Sequence, residues 1–119
     1  MDAATMTAYC LTKPGAWADN PWEHDHPVIK VGPGERGKIF AFIGPAGVGI
    51  KGGTTREVAD EWLQRHPGHA SVMAYIGRSG WNDLTYAIPD DELVEAVDES
   101  YGLVVGRMPK KHRPDDWDA

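Results

Sequence analysis

Cysteine is nearly absent from this 119-residue chain, and so is any long apolar run. Cys10 stands alone and cannot close an internal disulfide, which suits a reducing compartment. No uninterrupted apolar stretch approaches the ~20 residues that a membrane-spanning helix requires. The opening residues, MDAATMTAYCLT, carry neither the basic segment nor the long apolar segment of a secretory leader, so a cytoplasmic protein is expected. Internal repeats are absent. Catalytic groups are missing as a set: Cys10 has no evident histidine partner, and no Ser-His-Asp order can be drawn. A non-enzymatic protein with no cofactor is therefore expected. Glu23-His24-Asp25-His26 has metal-binding residue types, but no second cluster supplies the four ligands of a closed zinc site. A solvated loop, with no metal, is the expectation there.

What is present is ordinary for a folded domain. Hydrophobic residues make up 41% and charged residues 25%, and the length allows one core and excludes two. The formal net charge of -6 is local. Residues 90–99 hold Asp90, Asp91, Glu92, Glu95, Asp98 and Glu99 with no base between them, and without these the chain is neutral. A polyanion can thus still meet a neutral or basic surface elsewhere, though with little long-range steering. Five tryptophans are many for this length. Most tryptophans serve packing, but some of these are expected at a binding surface.

Local signals divide the chain into elements. Residues 4–12 suit a first helix, ended by Lys13-Pro14-Gly15. AWADNPWEHDH, residues 16–26, reads as irregular. Val28 to Val31 is a strand; Lys38 to Ile43 and Val48 to Lys51 form an antiparallel hairpin across Gly44-Pro45-Ala46-Gly47. Thr54 to Arg65 is a helix, with Thr54 and Glu57 at capping-box spacing and Val58, Ala59, Trp62 and Leu63 as its buried stripe. Arg56 with Asp60, and Glu61 with Arg65, can pair on its wet side. Trp81 to Ile88 alternates as a strand, placing Trp81, Asp83 and Thr85 on one face and Leu84, Tyr86 and Ile88 on the other. Asp90 can cap a last helix whose stripe runs from Leu93 to Met108. One domain over residues 1–113 is expected, with 114–119 as a mobile tail. The order is helix, three strands, helix, one or more strands, helix. It gives an α+β class: an antiparallel sheet with helices packed on one face. The other face stays partly open, carrying Lys30, Lys51, Trp81 and Thr85.

Five segments resemble a known family in their order along the chain: YCLTKPGA at 9–16, PVIKV at 27–31, VGIKGG at 48–53, YIGRSGW at 75–81 and IPDDELVEAVDESY at 88–101. Together they are similar to the MmcQ/YjbR-like proteins, small bacterial domains with a double-wing DNA-binding fold related to secretion chaperones. The resemblance covers about residues 6–113 and implies DNA as ligand. It departs from the family where relatives carry histidines: here Ile76 follows Tyr75, and Arg78-Ser79-Gly80 precedes Trp81.

Several sites follow. Lys30, Lys51, Arg78 and Trp81 are the expected nucleic-acid contacts, the cations neutralising phosphates and the indole stacking or filling a groove. Lys38 can extend that surface. Binding of this kind is expected to be weak and salt-sensitive. Lys51, Gly53, Thr54 and Thr55 lead from a strand into a helix start and can form an anion cradle; an ordinary glycine turn and threonine cap is the plainer alternative. Two further readings compete with DNA. The open sheet face can dock a protein partner, to which the acidic last helix is better suited. Alternatively, Trp17, Trp22 and Trp81 can frame an aromatic small-molecule pocket.

Overall fold

The computed structural model describes residues 1–119. Helix α1 (Ala3–Cys10) precedes strands β1 (Ala16–Asp19), β2 (Val28–Val31), β3 (Lys38–Ile43) and β4 (Gly47–Lys51). Helix α2 (Arg56–Arg65), strands β5 (Ala70–Val72) and β6 (Trp81–Thr85), and helix α3 (Asp90–Gly106) follow. The strands form one antiparallel sheet in the order β1-β2-β3-β4-β6-β5. Helices α1 and α3 pack on β3 and β4, and α2 packs on β5 and β6. This is the expected two-layer α+β arrangement.

The core lies between the layers. Ile29, Ala41, Ile43, Val48, Ile50 and Leu84 of the sheet meet Met6, Cys10, Trp62, Leu93, Val97, Tyr101 and Val105 of the helices. One irregularity shapes it. Ile29 pairs with Ala41, but Lys30 pairs with Ile39, so Phe40 is an extra residue in β3. The bulge turns Phe40 inward, where it is fully buried and meets Tyr101 edge-on at 5.2 Å. It also returns Ile39 to the outer face beside Lys30.

Several local expectations are corrected. Residues 16–19 form β1, because Trp17 and Asp19 alternate with Ala16 and Ala18 opposite β2. Trp17 Nε1 donates to the Gly32 carbonyl at 2.8 Å, fixing that edge. Helix α2 is capped by Thr55, whose hydroxyl accepts from the Val58 N–H, so the Thr54–Glu57 box does not form. Val58, placed on the buried stripe, is 45% exposed. Asp90 is not a cap but the first helical residue behind Pro89, and its carboxylate accepts from the Met1 ammonium at 3.0 Å. Arg65 pairs with Glu92 of α3 rather than with Glu61. In the tail, Trp117 packs against the core and lies under the Arg113 guanidinium at 5.6 Å.

Arg56 is more than a surface partner of Asp60. Besides that 2.7 Å bond it donates to the carbonyls of Gly77 (2.7 Å) and Trp81 (3.1 Å) and to the Asn82 side chain. Asn82 is fully buried and donates in turn to the Ala59 carbonyl at 2.9 Å. One guanidinium thus joins α2, the turn at Gly77–Ser79 and β6.

A cationic cleft at the end of the last helix

Helix α3 sets the electrostatics of the molecule. Its first turn holds Asp90, Asp91 and Glu92, and Arg107 follows its last turn, so both ends match the helix dipole. Seventeen residues at ~1.5 Å each separate the two ends by about 25 Å. That is some three Debye lengths at physiological salt, ~8 Å each, so these three first-turn acids are screened from the basic end, while Asp98 and Glu99 lie nearer to it.

Around that basic end the sheet and helix part. Lys38, Ile39, Lys51 and Trp81 from three strands face Leu103, Val104, Arg107, Met108 and Pro109 across a cleft of about 320 Å³. No carboxylate lines it. A second hollow, lined by Glu35, Arg36, Lys38, Pro109 and His112, shares Lys38 and Pro109 with the first. Lys110 and Lys111 are exposed on the adjoining turn. Arg36, Lys38, Arg107, Lys110 and Lys111 make no ion pair, whereas Lys13, Lys30, Arg56 and Arg65 all do.

The four expected nucleic-acid contacts fall into different settings. Lys51 and Trp81 are direct cross-strand neighbours in the cleft, with the ammonium 5.8 Å from the indole centre. Lys51 is only 8% exposed and donates from Nζ to the Ser79 carbonyl at 2.7 Å, so it forms the floor rather than a projecting arm. Burial first, then the Arg107 charge, lowers its pKa below the usual lysine value. An anion in the cleft relieves that repulsion. Trp81 is half-buried and held by Phe42, ring centres 5.5 Å apart at 81°. Arg78 is exposed in the turn Gly77–Ser79, next to the carbonyl that Lys51 engages. Lys30 lies two strands from Lys51 and is spent on Asp19 (2.7 Å) and the Trp17 ring (5.3 Å).

The anion cradle does not assemble. The hollow at Gly52, Gly53 and Thr54 is also lined by Glu61 and Glu99, which repel an anion, and its one cation, Arg65, is paired with Glu92. Burial and the neighbouring Glu95 carboxylate raise the Glu99 pKa, a sign of crowded negative charge. The Thr55 hydroxyl is committed to the helix cap, and Lys51 points to Ser79. The three-tryptophan pocket fails on distance. Trp17 in β1 and Trp81 in β6 are four strands apart, about 19 Å at ~4.8 Å per strand, and Trp22 sits 55% exposed in a loop beside His24.

Arg107, Met108 and Pro109 were missed from the sequence. The one available signal was a base immediately after the acidic helix, which a C-terminal dipole favours.

No helix is long and apolar enough to cross a membrane. No curated protein matches the chain. The fold is similar to the crystal structure of the Deinococcus radiodurans protein DR2400, described as carrying the DUF419 domain, with a TM-score of 0.82 and 21% identity. The match covers 99% of this chain and 93% of that one. A family model described as YjbR matches residues 11–103. The chain belongs to the YjbR family.

Proposed function

We propose that this chain is a non-enzymatic binding domain that holds nucleic acid at its basic end. One observation carries the reading: a cleft lined by Lys38, Lys51, Arg107 and Trp81, free of carboxylates, beside further cations, Arg36, Lys110 and Lys111, that make no ion pair. Lys38 and Arg107 are the exposed cations that would meet phosphates, and Arg36, Lys110 and Lys111 would extend the track. Lys51 would contribute charge from the floor. The cleft offers cations and an indole rather than a base or nucleophile, since the one buried amine is bonded to a carbonyl.

The test is fluorescence anisotropy with labelled oligonucleotides across a salt series. Wild-type protein retains them at low salt. The double variant Lys38→Glu/Arg107→Glu weakens binding at least tenfold and lowers the salt slope by about two, one unit per lost phosphate contact. Absence of retention at low salt, or a double variant equal to wild type, removes the reading.

A second reading rests on the outer sheet face. Trp17, Ile39, Phe42 and Trp81 are half-buried there, and the helices all pack on the opposite face. Such a face suits a protein segment laid across the strands. Phe42→Glu would then abolish partner capture from nuclease-treated lysate. Capture unaffected by Phe42→Glu counts against it.

A further inference from the structure

We infer that the cleft takes an unpaired nucleobase, so that the ligand of the basic end is single-stranded nucleic acid rather than duplex; this rests on the reading above. Duplex recognition places a helix or a two-stranded ribbon in a groove between two rows of phosphates. No helix here is charged for that position, and the β2–β3 and β5–β6 connections carry one arginine each, Arg36 and Arg78, rather than a row of cations. Helix α1 contains no lysine or arginine. Helix α2 contains Arg56 and Arg65, and both are held by carboxylates. Helix α3 has no base along its whole length and begins with three acids. The β3–β4 turn, residues 44–47, carries no cation.

The cleft has the opposite character. Its cations stand beside an apolar interior made by Ile39, Leu103 and Met108, with Trp81 among them. At about 320 Å³ it lies at the small end of ligand pockets, which run from ~300 to 1,000 Å³, and suits one base and its phosphate. In a duplex both faces of each base are covered by its neighbours. Only a base turned out of the stack can reach a recessed indole, and single strands present such bases at little cost. Phe42 and Lys51 hold the indole in place before any ligand arrives, so little side-chain ordering remains to oppose binding.

The experiment compares three labelled probes of equal length by anisotropy at one low salt concentration. They are a mixed-sequence single strand, its duplex, and an abasic strand that keeps the phosphates and lacks the bases. The single strand binds about tenfold tighter than the other two, the worth of one stacked base. Trp81→Leu, checked for folding by circular dichroism, brings the single strand down to the abasic level and leaves the abasic strand unchanged. Should that variant not fold, the comparison of single and abasic strands on wild-type protein decides alone. Duplex or abasic strand binding as tightly as the single strand overturns this inference and leaves the basic end as a phosphate site. Retention of no probe overturns both.

Discussion

The Ser100 hydroxyl occupies the place where Phe40 and Lys51 would otherwise pair across β3 and β4. The ladder between these strands runs through Ile43–Val48, Phe42–Gly49 and Ala41–Ile50, and its next rung would be Phe40–Lys51. Instead the Lys51 N–H donates to Ser100 Oγ at 2.9 Å, and Ser100 donates to the Phe40 carbonyl at 2.7 Å. A helix side chain thus completes a sheet rung, and the strands spread at the end where Lys38, Ile39 and Lys51 line the cleft. Ser100→Ala leaves a buried N–H and a buried carbonyl without partners. It is expected to destabilise the fold by about 1–3 kcal/mol, measured by urea unfolding. A loss near zero would mean that the two strands close the rung themselves, and the cleft with it.

Arg56 cannot be replaced by another cation. Its planar fork reaches Asp60, two carbonyls and Asn82 at once, a geometry that an ammonium on a flexible stem does not reproduce. Arg56→Lys is expected to cost about 2–4 kcal/mol, because Asn82 and the carbonyls lose charge-assisted partners in a buried setting. If thermal unfolding of Arg56→Lys matched wild type, the network would be ornamental to the fold.

Gly80 and Gly34 separate two costs of adding a methyl group. Gly80 has φ +100°, and a Cβ there would lie 2.1 Å from the Gly53 carbonyl oxygen. That contact is with backbone and cannot swing aside, and the Gly52 N–H to Gly80 carbonyl bond of 2.7 Å binds the same two segments. Gly34 also has positive φ, +36°, but nothing lies within 4 Å of its Cβ position. Gly34→Ala should lose only the conformational part, about 1–2 kcal/mol. Gly80→Ala should lose distinctly more, which differential scanning calorimetry of the two variants will compare.

Asp83 gives a pH dependence with a definite sign. It sits exposed on the outer face between Gly49 and Ser71 without an ion-pair partner, and partial desolvation by the flanking strands raises its carboxyl pKa above the ordinary 3.8. The folded chain therefore holds this proton more tightly than the unfolded chain. The resulting stabilisation is complete below pH 3.8 and disappears as pH rises through the folded value. Asp83→Asn should accordingly raise the unfolding temperature at neutral pH, with the advantage shrinking towards pH 3.8. An advantage independent of pH would place the cause outside this titration.

Periodicity made the helices and inner strands legible. Ala59 and Trp62, Leu93 and Val97, Val48 and Ile50 are buried as their spacing implies. The strand at Ala16–Asp19 escaped because four residues between a glycine turn and a polar loop carry too little pattern to distinguish strand from coil. The cap moved from Thr54 to Thr55 because both are threonines. Which one faces the helix depends on how Gly52 and Gly53 pack beneath Gly80.

The candidate site divides along the same line. Lys51 and Trp81 were nameable from residue type and strand alternation. Their environments were not: Lys51 is sunk and bonded, Lys30 is cancelled by Asp19, and the exposed charge comes from Lys38 and Arg107, far apart in sequence.

Composition and local order, by themselves, determined an α+β class with the net negative charge gathered on one helix, because patterning and caps are properties of neighbouring residues. Only the tertiary structure decided which cations stay free and where they converge. Each charge is silenced or spared by whatever side chain distant strands and helices bring beside it, and that pairing is set by three-dimensional packing rather than by spacing along the chain.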